Sequence, residues 1–247
     1  STLYVQRGRS GLERVSATAE PRSRRVPPTT RRAVSRTHID STWSARVPNS
    51  FYARRGKRLF DVTATAALMV AISPVYAMVW LLVRFRLGRP IYFTQDRVGR
   101  DGQKFTMQKF RTMKPDRRRH QIHFAGTDRR QYDKNPHDPR HTPLGRRLRR
   151  SSLDELPQLR HVLRGEMSLV GPRPEIWTTA VRDDQLGHSR ERVSPGLTGL
   201  WQVDSRDSHD LEGRLHLDDE YIRTMSFRRD LRILFKTISV VFARTGH

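Results

Sequence analysis

An uncharged run of 22 residues, 62–83, is the feature that most constrains the fold of this 247-residue chain. A helix that rises about 1.5 Å per residue reaches roughly 33 Å over this run, enough to cross the apolar core of a bilayer. Ser73 and Pro74 stand at its midpoint, where a proline removes a backbone donor and clashes with the preceding turn. Buried helices of soluble proteins are rarely this long, so the run predicts a membrane-inserted element.

Both flanks of this run are basic. Arginine and lysine occur at positions 54, 55, 57 and 58 before it and at positions 84, 86 and 89 after it. Since basic flanks stay in the cytoplasm, two of them favour both ends on the same side of the membrane. We therefore expect a re-entrant helix-break-helix hairpin over about 57–86, with its break at Ser73 and Pro74. A spanning helix with a tolerated proline kink is the alternative.

The net charge of the chain is +23, from 48 Lys and Arg against 25 Asp and Glu. Such an excess requires an anionic partner: nucleic acid, an acidic membrane surface or a phosphorylated substrate. Residues 1–50 are arginine-rich and poor in apolar residues, which predicts a disordered basic segment. A nucleic-acid-binding protein that uses this segment is one hypothesis, although no known DNA- or RNA-binding signature follows it.

The remainder of the chain reads as a mainly helical α+β fold with a small β-hairpin. Strands are predicted at 91–97 and 104–110, and Arg100-Asp101-Gly102 between them is a hairpin turn signal. Helices are predicted at 144–150, 154–163, 209–225 and 230–243. Residues 114–140 are polar and aperiodic, which predicts a long loop. Cysteine is absent, and this excludes disulfides and thiolate chemistry.

Two adjacent carboxylates, Asp154 and Glu155, are the best candidates for chemistry. Pro157 is tolerated only in the first turn of a helix, so a helix start is predicted at about 152–154. Arginines before and after the carboxylates, together with this helix end, suit phosphoryl transfer, with a nucleophile, a Mg²⁺ ligand and phosphate-neutralising groups. They also predict a depressed pKa for Asp154. The structural alternative is a helix N-cap at Asp154 or a capping box formed by Ser152 and Glu155.

Seven short motifs, taken in order, resemble the bacterial sugar transferases, the monotopic phosphoglycosyl transferases that act on polyprenyl phosphate. Each motif is weak alone, but seven in one order over about 57–244 are highly specific. They are K-R-L-F-D (57–61), the apolar run with its central Ser-Pro, F-x-Q-x-R-V-G (93–99), K-F-R-T-M (109–113), S-L-D-E-L-P-Q-L (152–159), M-S-L-V-G-P-R-P (167–174) and P-G-L-T-G-L-W-Q-V (195–203).

The resemblance implies an enzyme that transfers sugar-1-phosphate from a UDP-sugar to undecaprenyl phosphate and releases UMP. It implies a catalytic domain over 51–247, with amphipathic helices at the cytoplasmic face of the bacterial inner membrane and anionic lipid around it. The reaction is expected to start an exopolysaccharide, capsule, O-antigen or glycoconjugate. No motif identifies the sugar; the longer C-terminal region favours UDP-glucose or UDP-galactose as the donor, and N-acetylated sugars remain open.

The resemblance also assigns roles to individual residues. Asp154 is implied as the nucleophile of a ping-pong reaction that passes through a phosphosugar-Asp154 intermediate. Glu155 is implied as the ligand of Mg²⁺. The expected phosphate-binding residues are Arg149, Arg173, Lys109 and Arg111.

Overall fold

The computed structural model describes residues 45–114, 140–182, 186–204 and 211–242. Most of the predicted disordered segment 1–50, and nearly all of the predicted loop 114–140, lie outside these ranges. Ala45 is fully buried, and its carbonyl accepts a hydrogen bond from Arg192 at 2.8 Å. The packed part of the chain therefore includes residues that precede the predicted boundary at 50.

The described residues are mainly helical, as predicted. The helices are α1 (Lys57–Arg86), α2 (Pro143–Arg150), α3 (Leu159–Arg164), α4 (Trp177–Arg182), α5 (Leu200–Asp204), α6 (Leu211–Thr224) and α7 (Phe227–Phe242). The strands are β1 (Tyr92–Val98), β2 (Lys104–Phe110), β3 (Ser168–Val170) and β4 (Gly196–Thr198). A π-helical turn (Tyr52–Gly56) precedes α1, and 3-10 turns occupy Arg100–Gly102, Leu153–Gln158 and Ser189–Arg192.

The predicted β-hairpin is confirmed. Strands β1 and β2 pair antiparallel from Tyr92 opposite Phe110 to Val98 opposite Lys104. Asp101 in the connecting turn has a φ of 55°, the left-handed conformation that Asp tolerates better than most residues. A second sheet, the parallel pair β3 and β4, is missing from the sequence prediction because strands of three residues carry too little periodicity.

Helix α1 is continuous from Lys57 to Arg86, with Pro74 inside it. The expected interruption of the helix at Ser73 and Pro74 is therefore absent. The reason is local: a proline leaves the carbonyl four residues earlier without its N–H donor, and the Ser73 hydroxyl donates to this carbonyl, that of Val70, at 2.8 Å. The serine thus satisfies the acceptor that the proline would otherwise leave unpaired.

Both ends of α1 pack against the same compact unit of the chain. Near its start, Lys57 Nζ contacts Asp230 Oδ2 of α7 at 2.7 Å, and the Asp230 side chain is wholly buried. Near its end, Val83 is buried in a cluster with Phe110 of β2 and Leu148 of α2. The helix is therefore fixed to the domain at its two ends rather than at one.

The opposite face of α1 is apolar and exposed. By length and composition, α1 with the turn before it is the one helix of the described part that could cross a membrane. Helix α7 is amphipathic, since Ile233 is buried while Phe235 and Ile238 on the other face are exposed. The exposed apolar side chains of α1 include Leu68, Val70, Val75, Met78, Leu81 and Leu82.

Candidate active site

The segment that carries Asp154 and Glu155 is a 3-10 turn rather than the start of an α-helix. Ser152 has a φ of 54°, in the left-handed region, and its side chain does not cap the turn. The predicted helix 154–163 is therefore divided into the 3-10 turn Leu153–Gln158 and helix α3. The capping-box alternative is wrong, because Glu155 faces β2 instead of its own backbone.

Glu155 forms an ion pair with Lys109 of β2. Its Oε1 lies 2.5 Å from Lys109 Nζ, and both side chains are partly buried. Burial favours the neutral form of Glu155, but the positive charges of Lys109 and Arg173 outweigh it and lower the pKa to about 2. Glu155 is consequently a permanent anion at neutral pH.

Asp154 is buried, with 7% of its surface exposed. Burial raises its pKa to about 6, and the negative charge of Glu155 acts in the same direction. Lys109 and Arg149 oppose the rise but do not cancel it. The expected depressed pKa is therefore wrong, because the cost of desolvating the carboxylate exceeds the attraction of the cations.

Arg149 and Arg173 lie close enough to influence this pair of carboxylates, which we call the dyad. Arg149, in the last turn of α2, donates to Thr112 Oγ1 at 3.1 Å and also contacts His141. Its charge acts on Asp154, whereas the charge of Arg173 acts on Glu155. The two arginines that were predicted to bind phosphate therefore both lie near the dyad, Arg149 near Asp154 and Arg173 near Glu155.

A small cavity lies between Glu155 and the Gly-Pro-Arg-Pro segment, and Asp154 is not among the residues that line it. We call it the dyad cavity, and it contains Lys109, Glu155 and Arg173. Arg97 of β1 also lines it and donates from Nη1 to the Pro174 carbonyl at 3.0 Å, which holds this segment against the hairpin. The complete lining is Arg97, Met107, Lys109, Glu155, Gln158, Arg173, Pro174, Gly196 and Leu197.

Arg111 has a different place from the one expected. Its guanidinium donates to three carbonyls at the C-terminal end of α1, those of Leu87, Gly88 and Arg89. The side chain is largely buried in this position. Arg111 therefore fastens the end of α1 to β2, and it does not line the dyad cavity.

Gln158 is a site residue that sequence reasoning missed. Its side chain is 3% exposed and lines the dyad cavity. Within the described residues its amide Nε2 has no hydrogen-bond partner. A buried donor without a partner typically costs about 1–3 kcal/mol, so it marks a position where a ligand acceptor would fit. Only the folded structure reveals this, since the sequence shows no more than a glutamine near Pro157.

Comparison with known proteins identifies the class of protein. A family model described as bacterial sugar transferase matches residues 52–244. The chain belongs to the bacterial sugar transferase family. The resemblance drawn from the seven motifs, and the prediction that the chain is a transferase, are thereby confirmed.

Individual relatives agree with this assignment. The exopolysaccharide production protein ExoY of Sinorhizobium fredii is 39% identical over 196 residues, which cover 77% of this chain and 87% of that protein. The undecaprenyl-phosphate galactose phosphotransferase of Salmonella typhimurium is 38% identical, over 77% of this chain and 41% of that protein. The undecaprenyl-phosphate glucose phosphotransferase of Komagataeibacter xylinus is 40% identical, over 81% and 38%. The chain thus spans most of the first relative and about two fifths of the other two.

Proposed function

We propose that this chain transfers sugar-1-phosphate from a UDP-sugar to undecaprenyl phosphate and releases UMP. Family membership supports this proposal, as do the two relatives named as undecaprenyl-phosphate sugar phosphotransferases. The observation that carries it is the dyad itself: two adjacent carboxylates have pKa values driven apart to about 6 and about 2. Divergent values of this kind are typical of carboxylates with different chemical roles.

In the first step Asp154 is the nucleophile. Because its pKa is about 6, it is ionised at neutral pH, yet its burial leaves it poorly hydrated. One carboxylate oxygen attacks the phosphorus that bears the sugar, the bond from that phosphorus to the bridging oxygen breaks, and UMP leaves with the electron pair. Lys109 and Arg173 neutralise phosphate charge, and the amide of Gln158 donates to a phosphoryl oxygen.

In the second step the phosphosugar moves to the lipid. A phosphate oxygen of undecaprenyl phosphate attacks the same phosphorus, the bond to Asp154 breaks, and the carboxylate is regenerated. The product is undecaprenyl-diphosphate-sugar. UMP leaves before the lipid reacts, so the kinetics are ping-pong.

Glu155 is the dyad member that suits a Mg²⁺ ion. Magnesium is commonly held by one or two carboxylates together with substrate phosphates, and Glu155 already carries a negative charge beside the dyad cavity. A bound Mg²⁺ would neutralise the charge of the transferring phosphoryl group. Lys109 forms an ion pair with Glu155 in the structure. With Mg²⁺ bound, the Glu155 carboxylate would interact with both Lys109 and the ion.

We further propose that α1 enters the membrane and returns to the same side, the cytoplasmic face of the inner membrane. Its N-terminal half is fixed by Lys57 to α7, and its C-terminal end by Arg111 to β2. A helix bound at both ends to one domain cannot place those ends on opposite sides unless the domain also crosses. Pro74, exposed at the middle of the helix, is the position where it can bend.

This topology also explains the chemistry of the helix surface. The exposed apolar side chains of α1 face lipid, and exposed Arg54, Arg55, Arg86 and Arg89 at its two ends meet anionic headgroups. Cysteine labelling tests the arrangement, because the chain has no native cysteine. Ser50→Cys and Arg89→Cys should both be protected from an impermeant maleimide in intact cells. Labelling of one but not the other would indicate a spanning helix.

The transferred sugar is proposed to be a hexose, since the names of two relatives specify galactose and glucose. The glycan is proposed to be an exopolysaccharide, after the printed name of the ExoY relative. A screen of UDP-sugars for UMP release identifies the donor. The nucleic-acid hypothesis is not favoured, because the family match covers 52–244 and accounts for most of the chain.

UMP release without a lipid acceptor tests the proposed reaction. A ping-pong enzyme should release about one equivalent of UMP and then stop. Asp154→Asn should release none, whereas Asp101→Asn, a change at an exposed turn residue, should behave like the wild type. Continued release without lipid, or no release until lipid is added, would contradict the proposal.

A further inference from the structure

His161 is a buried histidine on α3 that the proposed chemistry does not use. Its surface is 2% exposed, and both of its ring nitrogens have a partner. Nε2 lies 3.1 Å from the backbone nitrogen of Gln108 on β2, and Nδ1 lies 2.6 Å from Glu166 Oε2. The ring therefore connects the helix that follows the dyad to the strand that carries Lys109.

The two partners assign the tautomer of His161. A backbone N–H can only donate, so Nε2 must keep its lone pair and accept the hydrogen bond from Gln108. A neutral imidazole then has its proton on Nδ1, from which it donates to the Glu166 carboxylate. Glu166 thus holds the ring in the one neutral tautomer that can accept a hydrogen bond from β2.

The hydrogen bond from Gln108 lies at the outer edge of the β-hairpin. Among the described residues β2 has β1 as its one strand partner, and Gln108 lies opposite Thr94 of β1. In an antiparallel pair, alternate N–H groups point toward the partner strand or away from it. The Gln108 N–H points away, toward α3, and a covered N–H at a sheet edge needs an acceptor. His161 supplies this acceptor.

Two neighbouring residues of β2 therefore contact the segment that contains the dyad. Gln108 donates to His161, and Lys109 Nζ lies 2.5 Å from Glu155 Oε1. A lysine side chain is long and flexible, so its ammonium is only as well placed as the backbone that carries it. Because the imidazole fixes this backbone one residue before Lys109, the distance from the ammonium to Glu155 depends on His161.

We infer that His161 is a positioning residue for transfer: its neutral imidazole holds β2 so that Lys109 lies on Glu155 and beside the phosphoryl group. This inference rests on the proposed function, since it assumes that Lys109 neutralises phosphate charge during transfer. His161 does not line the dyad cavity, so it acts through Lys109. Its loss should slow the chemical step more than it weakens donor binding, because a small displacement of a charged group affects the transition state most.

Two amide substitutions separate the two nitrogens of the ring. An asparagine amide lies near the position of Nδ1 and a glutamine amide near that of Nε2, so His161→Asn loses the acceptor for Gln108 and His161→Gln keeps it. In transfer to undecaprenyl phosphate, His161→Asn should lower kcat about tenfold or more, while KM for the UDP-sugar changes less than about threefold. His161→Gln should restore kcat close to the wild-type value. His216→Asn, at an exposed histidine of α6, is the matched control and should change neither constant.

A double-mutant cycle tests whether His161 acts through Lys109. Lys109→Met removes the ammonium that His161 positions, so in this background His161→Asn should lower kcat by less than about twofold. Equal losses in the two backgrounds would overturn the inference. A folded His161→Asn protein with the wild-type kcat would also overturn it, as would a His161→Gln protein that is as impaired as His161→Asn.

Hydrogen exchange measures the contact without reference to activity. The Gln108 N–H should exchange at least about tenfold faster in His161→Asn than in the wild type and should stay protected in His161→Gln. Glu166→Ala keeps the test valid if a His161 variant does not fold, because the Glu166 side chain is 38% exposed. Its removal releases the other tautomer of the ring, so kcat should fall in the same direction, and an unchanged kcat would contradict the inference.

The two readouts separate this inference from the proposed function. A wild type that transfers phosphosugar, but in which both the exchange of Gln108 and kcat are independent of His161, would refute the inference alone. A wild type that transfers no phosphosugar, although the exchange of Gln108 depends on His161, would refute the proposed reaction. The role of His161 in transfer would then fall with it, while the hydrogen bond to β2 would stand.

Discussion

Replacing Asp154 with asparagine should abolish transfer and at the same time stabilise the protein. Both effects follow from the burial of the carboxylate. Folding raises the pKa of Asp154 from 3.8 to about 6. The charged carboxylate therefore lowers the stability of the folded state. Asparagine removes both the nucleophile and this cost.

The magnitude follows from the pKa values. At 1.36 kcal/mol per pKa unit, the difference between 3.8 and about 6 destabilises the folded state by about 3 kcal/mol when Asp154 is ionised. An asparagine amide at the same buried position costs about 1–3 kcal/mol if its N–H groups lack acceptors. The net gain in the free energy of unfolding is therefore up to about 2 kcal/mol at pH 7.5.

The change in the free energy of unfolding caused by Asp154→Asn should depend on pH. A carboxyl group whose pKa is raised by folding costs nothing below its unfolded pKa, and the full cost appears above its folded pKa. The stability gain of Asp154→Asn should thus be greatest above about pH 6 and vanish near pH 4. Denaturant unfolding of the protein in one fixed detergent measures it, with Asp101→Asn as the exposed control. A stability difference between Asp154→Asn and the wild type that does not grow from pH 4 to pH 7.5 would refute the reasoning.

Three further predictions concern the same site. The kcat/KM for the UDP-sugar should fall about tenfold per pH unit below pH 6 and level off above it, because the nucleophile must be ionised. Lys109→Met should shift this inflection to higher pH, since the Lys109 charge lowers the pKa values of both Asp154 and Glu155; an unchanged profile would contradict the assignment. Gln158→Leu should lower kcat by about tenfold or more while the melting temperature stays equal or rises, because the amide has no partner among the described residues. A clear loss of stability would instead give Gln158 a structural role.

The parts of the fold with a strong local signal could be predicted from the sequence. The alternating strands around Asp101 predict the β-hairpin. The long apolar run predicts a helical element over about 57–86, and its bounds agree with α1 although the predicted break at Ser73 and Pro74 is absent. The dyad is identified from adjacent carboxylates between arginines. The ion pair of Glu155 with Lys109 was not predicted, since the motifs imply only that Lys109 binds phosphate.

The features that escaped prediction depend on burial or on distant partners. Whether Asp154 has a raised or a lowered pKa depends on how deeply it is buried, which spacing along the chain does not reveal. Lys109 and Arg111 would share a face if both belonged to one strand. Strand β2 ends at Phe110, however, so Arg111 lies beyond it and binds the carbonyls that follow α1. The helix passes Pro74 because Ser73 supplies the missing bond, a compensation that depends on side-chain geometry.

The most direct test of the account is the mass of the phosphosugar on the enzyme. After incubation with a UDP-sugar and no lipid, a peptide that contains Asp154 should gain the mass of one sugar phosphate, and fragmentation should place it on that carboxylate. Undecaprenyl phosphate should then remove it and yield the lipid-linked sugar. A competent enzyme that transfers sugar to the lipid without ever carrying this mass, or that carries it on another residue, would contradict the central claim.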